Sequence, residues 1–476
     1  MTGAWLIAPG FAIALLALPG NSRAPVDQPS TTAPLAIAAW NDNLEPAGRI
    51  VNGVRTLALE IVPSAWHPEG PDRPAGEVLA FAEVGKAPTV PGPLLRVPAG
   101  TPVAATVTNR YDRTLVVRGL SSRRQPAMDS LVLAPGATGE VRFTADVEGT
   151  YYYWAGEPGV SIEDRFYEDS QLNGALVIDP AGTVGTPSDR ILLISFWIQR
   201  KDAAGEPDFD SGIFAINGRP WPLTERFTYN VGDSVHWRII NANVDVHPLH
   251  LHGFYYRITS RGDDQRDTVY WAAQQRMAVT ERVQPGQTMA LSFQPDRPGG
   301  WVFHCHLNWH VVANPGIGPE LMSEAARIRQ ITEGHVEHEP EHHVENAMGG
   351  LILAMYVNPP PGYQPSPGRR TMKRLFIQSD SAGSTTDAIR RFGYILQEGD
   401  REPAPDSVRS PGSTIVLHKG EPTSIWVINR STEPTQVHWH GIEIDSPFDG
   451  VVGIGGMKEG PTPPIMPSDS FEVRVT

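Results

Sequence analysis

The chain has 476 residues, a formal net charge of −14, 46 glycines, 45 prolines and a single cysteine. That length exceeds one ordinary core, abundant Gly and Pro without a period describe a turn-rich β protein, and the acidity excludes a polyanion such as nucleic acid as partner. One cysteine excludes an internal disulfide and leaves Cys305 as a small core residue, a reactive thiol or a metal ligand.

In chain order, Trp5 to Leu18 is mostly apolar but too short to span a bilayer comfortably, and Ser22-Arg23-Ala24 offers a small-x-small cleavage site. Residues 1–24 are therefore expected to be an export signal, which places the mature protein in the periplasm or outside the cell; an uncleaved anchor or a buried strand is the alternative. Three related β-domains are expected next. A glycine is followed nine residues later by asparagine in "GTPVAATVTN" (Gly100 to Asn109), "GDSVHWRIIN" (Gly232 to Asn241) and "GEPTSIWVIN" (Gly420 to Asn429), each alternating as a half-buried strand does. A second repeat aligns "APGATGEVRFTADVEGTYYYWAG" (Ala134 to Gly156) with "QPGQTMALSFQPDRPGGWVFHCH" (Gln284 to His306). The boundaries that follow are 25–185, 186–357, a Pro-rich linker at 358–370, and 371–476. The third copy of the second repeat begins in "MPSDSFEVRVT" and stops, so the chain reads as a fragment whose third domain is incomplete.

Histidines occupy the same places in two repeats. Nine and eleven residues beyond each asparagine lie His250 and His252, His438 and His440, but in the first repeat Arg118 and Leu120. Side chains two apart on a strand share a face, so each His-x-His presents two imidazoles together. In "WVFHCHLNWH" (Trp301 to His310), His304 and His306 face one way and Cys305 the other, while His310 follows a turn and can swing back to the sulfur. Cys305, His310 and His247 with the weak donor Met348 make the thiolate, imidazole and thioether set of an electron-transfer copper, and the usual structural zinc spacings are absent. A core methionine is the alternative reading of Met348. The six remaining imidazoles, His250, His252, His304, His306, His438 and His440, are too many for one ion and suit a copper cluster.

"HPLHLHG" (His247 to Gly253), "HCHLNWH" (His304 to His310) and "HWHG" (His438 to Gly441) resemble three of the four copper motifs of multicopper oxidases, the family of laccases, ascorbate oxidase and ceruloplasmin. The resemblance implies tandem cupredoxin-like Greek-key β-sandwich domains, four copper ions in the complete protein, and oxidation of a small-molecule or metal-ion donor by dioxygen. It implies type 1 copper at His247, Cys305 and His310 with Met348 axial, type 2 copper at His250 and His438, and the type 3 pair at His252, His304, His306 and His440. Asp449 in "DSPFDGV" falls where family members carry an acid near the cluster; it relays protons there or merely sets the turn before Gly450.

Three departures qualify the likeness. The order of motifs is shifted relative to three-domain laccases, so the cluster is expected between the second and third domains, or between subunits of a homotrimer. A long insertion carrying "EGHVEHEPEHHVE" separates His310 from Met348, and Pro315 stands where the axial residue is usual. The fourth motif, another His-x-His, would fall shortly past Thr476. A copper nitrite reductase shares the domains but lacks a counterpart of His306, and a non-catalytic electron carrier is the third possibility.

Overall fold

A computed structural model describes residues 34–125, 130–183, 185–186, 189–317, 348–364, 371–379, 392–405 and 407–476. The expected export signal, the His- and Glu-rich insertion and part of the Pro-rich linker lie outside these residues. The fold is all-β. A seven-stranded and a five-stranded sheet pack around Leu57, Ile61, Phe81, Val103, Tyr151 and Leu176 between Ala36 and Asp179. Two seven-stranded sheets follow, with a core that includes Phe196, Trp237, Leu249, Trp301, Phe303 and Cys305. The third unit contributes one four-stranded sheet, formed by Phe392–Leu396, Thr371–Ser379, Thr423–Asn429 and Ser470–Val475.

The strand Gly149–Gly156 shows why one sequence, "GTYYYWAG", is buried along its entire length. Alternate side chains leave a strand on opposite faces. Tyr151 and Tyr153 enter the first core, while Tyr152 and Trp154 pack with Ile191, Leu193 and Ile240 of the second body. The seam is also polar: Asp189 binds both Arg96 and Arg238, Arg238 Nη1 donates to Thr150 Oγ1 at 2.8 Å, and Thr150 N donates to Asp267 Oδ2 at 2.7 Å.

The repeated asparagines have a common physical cause. Each ends its strand fully buried and donates from Nδ2 to the carbonyl four residues on: Asn109 to Arg113, Asn241 to Asp245, and Asn429 to Glu433, at 2.7–2.8 Å. Each also reaches a second loop, through Leu133 O, Val283 O and Ile465 O respectively. One side chain thus satisfies carbonyls that no ladder can reach. An antiparallel partner strand pairs in the same register every time, with Thr138 opposite Thr108, Thr288 opposite Ile240, and Ser470 opposite Ile428.

The same rung also carries the ligand positions. His250 stands opposite His304, and in the first body Arg118 stands opposite Trp154. There the guanidinium lies over the indole, 5.6 Å from its centroid, so a cation–π pair fills the place. Gly299 and Gly300 open the strand Gly299–Cys305 to the third unit. A Cβ on Gly300 would stand 1.7 Å from Ile454 O, and Gly300 pairs with Gly456 instead. Ser446 locks this contact, donating from Oγ to Gly300 O at 2.6 Å and accepting from Gly456 N at 2.8 Å.

Candidate metal centres

The ladder register fixes which way each donor points. Leu249 is opposite Cys305 and His250 opposite His304, so sulfur and imidazoles leave the strand Gly299–Cys305 on opposite sides. On the sulfur side, Cys305 Sγ lies 3.3 Å from His310 Nδ1 and 3.8 Å from His247 Nδ1, and the two ring nitrogens are 3.1 Å apart. All three residues are buried. His310 reaches this side because the single turn Asn308–His310 reverses the chain after the strand. Phe214 lies on the His310 ring at 4.1 Å and meets His247 edge-on at 5.7 Å. Burial lowers the pKa of both histidines, leaving neutral rings with lone pairs to give. Burial pushes the Cys305 thiol up to about 12, so a cation bound there must displace its proton.

Met348 pairs with Val312 by a single bridge, and Leu351 N donates to His310 O at 2.9 Å. The segment thereby lies along the His310 turn. Met348 also lines a cavity of about 420 Å³ with His252, His304, His306 and His438.

On the other side six imidazoles converge. His252 Nε2 and His304 Nε2 are 3.0 Å apart, and His250 Nε2 and His438 Nε2 are 3.2 Å apart. The rings of His306 and His440 stand 4.8 Å apart, and His250 stacks on His440 at 4.1 Å. Three donor groups result: His250 with His306 and His440, His250 with His252 and His304, and His252 with His438 and Asp449. Although His-x-His was expected on a strand in both places, only His250 lies in a ladder; residues 436–439 join none. The His438 ring is held instead by Asp449, on the turn that follows.

The outward nitrogens decide what the inward ones can do. His250 Nδ1 faces Val279 O at 2.7 Å, His304 Nδ1 faces Cys305 O at 2.7 Å, and His438 Nδ1 faces Asp449 O at 2.9 Å. His252 Nδ1 faces Asp449 Oδ2 at 2.7 Å. An oxygen in each case accepts the ring N–H, so every Nε2 is left with a bare lone pair directed at its neighbours. Burial holds His250, His252 and His304 neutral. Lone pairs meeting at these distances repel unless a cation lies among them. Nitrogen and sulfur donors suit copper or zinc better than calcium or magnesium. The residues therefore fit a transition-metal cluster on one side and a thiolate-bound ion on the other.

Asp449 is completely buried. Burial alone would raise its pKa, but His252 and His438 hold it below the usual carboxylate range. His438 is the exception among the rings: burial lowers its pKa, and Asp449 more than reverses this, raising it. Three further residues were not singled out from sequence. Asn243 and Asp245 stand behind His247 and His310, and Thr280 Oγ1 lies 3.1 Å from His250 Nδ1 and 3.3 Å from His440 Nε2. Asn243, Asp245 and His247 are spaced by two before Pro248, a pattern that could have drawn attention to the first two.

Residues 197–314 match one family profile described as multicopper oxidase, and residues 84–182 with 408–476 match a second of the same description. The iron transport multicopper oxidase fio1 of Schizosaccharomyces pombe is 34% identical over 97 residues, 19% of this chain and 15% of that protein. A probable nitrite reductase-hydroxylamine oxidoreductase fusion protein of Kuenenia stuttgartiensis is 24% identical over 273 residues, 52% of this chain and 29% of that one. The matched stretches thus span well under half the length of these relatives. Among solved structures, the blue copper oxidase from Nitrosomonas europaea is 22% identical with a TM-score of 0.46, covering 63% of this chain and 85% of that one.

Proposed function

We propose, because the chain belongs to the multicopper oxidase family and its domains to the cupredoxin fold, that it couples one-electron oxidation of a small donor to four-electron reduction of dioxygen to water. The donor is a phenol-like molecule or a reduced metal ion, and the protein works outside the cytoplasm. In this reading His247, Cys305 and His310 hold one copper with Met348 as a weak fourth donor. His250 and His438 hold a second, and His252, His304, His306 and His440 hold a pair. Copper supplies one-electron redox change at the thiolate set and, as a cluster, several electrons for dioxygen.

The observation that supports this best is the opposed register around Cys305. Three consecutive residues, His304, Cys305 and His306, give the two donor sets a continuous covalent link, with sulfur on one side and imidazoles on the other. The rest of the chain prepares the donors. Val279 O, Cys305 O and Asp449 keep the ring protons on the outer nitrogens, so the inner ones stay bare. Asp449, as a buried carboxylate, holds the proton at His252 Nδ1 and is the nearest acidic group for passing protons toward the cluster. The cavity lined by His304, His306 and Met348 gives a small molecule room beside the rings.

The test is oxygen consumption by the copper-loaded protein with phenols, aromatic amines, Fe(II), Mn(II) and Cu(I) offered in turn, and nitrite as a control oxidant. Four one-electron donors consumed per dioxygen, without peroxide, is the expected result. Nitrite turnover without oxygen uptake would assign a nitrite reductase; copper binding with neither would leave an electron carrier.

A further inference from the structure

The two imidazoles that face Cys305 are held from behind by one short loop, and by groups of unlike charge. Asn241 starts this loop, with its Nδ2 donating to Asp245 O at 2.8 Å and to Val283 O at 3.1 Å. Inside it, Asp245 N donates to Asn243 Oδ1 at 2.9 Å, and Val246 N donates to Asp245 Oδ1 at 2.7 Å. These bonds place Asn243 Oδ1 3.2 Å from His247 Nε2, and Asp245 Oδ2 3.2 Å from His310 Nε2. Asp245 Oδ2 can only accept, so it takes the Nε2 proton of His310 and leaves that ring's Nδ1 bare toward the sulfur, whereas His247 Nε2 faces both Asn243 Nδ2 at 3.0 Å and Asn243 Oδ1 at 3.2 Å. Asn243 is buried, whereas the side chain of Asp245 keeps 39% of its surface.

The two partners differ physically. An amide oxygen only orients a ring, but a carboxylate also draws on the ring proton, makes the imidazole a stronger donor and adds a negative charge beside the site. Both effects favour the more highly charged state of a bound ion. Phe214, packed on the His310 ring at 4.1 Å, closes the face through which the ring would otherwise turn.

We propose that Asp245 is a positioning residue of the thiolate centre: it fixes His310 with Nδ1 toward Cys305, and its charge holds the reduction potential of copper bound there below the value a neutral partner would give. Among the described residues it is the one carboxylate that contacts either ring. This rests on the reading above that His247, Cys305 and His310 hold copper.

The test uses the full chain loaded with copper and three variants: D245N, which keeps an oxygen but removes the charge; D245A, which removes both; and N243D, which places a charge behind the other ring. Spectroelectrochemical titration of the thiolate-to-copper band reads the potential, and ¹⁵N resonances of the metal-free protein read the His310 tautomer. The expected pattern is a higher potential in D245N and D245A, a lower one in N243D, and an Nε2–H tautomer in wild type that D245A loses. A wild-type band accompanied by an unchanged D245N potential, or an Nδ1–H tautomer in the metal-free wild type, overturns this inference alone. Absence of the band from wild type and variants overturns the copper reading, and this inference with it.

Discussion

Asp449 is the residue on which two segments of the cluster depend at once, because its carboxylate holds His252 and its carbonyl holds His438. Truncation in D449A frees the His252 ring and leaves the backbone bond in place. Loss of such an outer partner typically costs about 10- to 100-fold in metal affinity or activity, so D449A should retain the thiolate-bound copper and lose cluster copper on dialysis, as measured by copper per chain. A second carboxyl carries a pH signature. Burial raises the pKa of Asp267 from 3.8 to about 6, opposed by its bonds from Thr150 N and Ser260. The folded state therefore holds this proton more tightly than the unfolded chain, and stability falls as pH rises between 3.8 and about 6, then levels. Two units correspond to at most about 3 kcal/mol. Denaturant midpoints across that window should show the fall in wild type and a flatter profile in D267N. A profile rising through the window would contradict it.

At the scale of elements, the strand Gly299–Cys305 is the junction of the molecule, and its two glycines decide whether the third unit can dock. G300A drives a Cβ into Ile454 O, a backbone atom that cannot swing aside. Overpacking of this kind costs about 1–3 kcal/mol. The expected result is selective: the thiolate band survives, since none of its donors lies at the junction, while copper held with His438 and His440 is lost. Equal loss of both would show that the strand itself is disrupted. Much of this element was legible in the sequence. Alternation alone separated Cys305 from His304 and His306, and the Gly-to-Asn repeat located three strands that indeed end on buried asparagines. Less legible were the outer partners. Val279 and Cys305 act through backbone carbonyls, which carry no side-chain signature, and Asp245 reaches His310 across 65 residues of sequence. That residues 436–439 join no ladder was also hidden, because alternation announces a shared face but not whether a neighbouring strand lies beside it.

For the whole molecule, the cluster is built from two parts of the chain that also meet through the Ser446, Gly300 and Gly456 contact, through the Arg297–Glu443 ion pair and through Tyr255 Oη, which donates to Gly441 O at 3.1 Å. A metal bridging His250 to His438 and His306 to His440 would tie them together, and binding to the folded state alone adds stability that grows with the logarithm of the free metal concentration over its dissociation constant. Hydrogen exchange of residues 435–452 should therefore slow on adding copper, while residues 101–118 and 149–156 of the first body should not change. Uniform slowing would indicate a global effect.

The first body shows what the scaffold does when metal chemistry is not asked of it. Arg118 and Trp154 occupy the rung that His250 and His304 occupy in the second, and the strands there pair in the same antiparallel way. The pleat and the asparagine corners are thus common to both bodies, while the rung between them holds a cation–π pair in one and two imidazoles in the other. A metal-donor set is in this sense a local fitting on a frame that also stands without it.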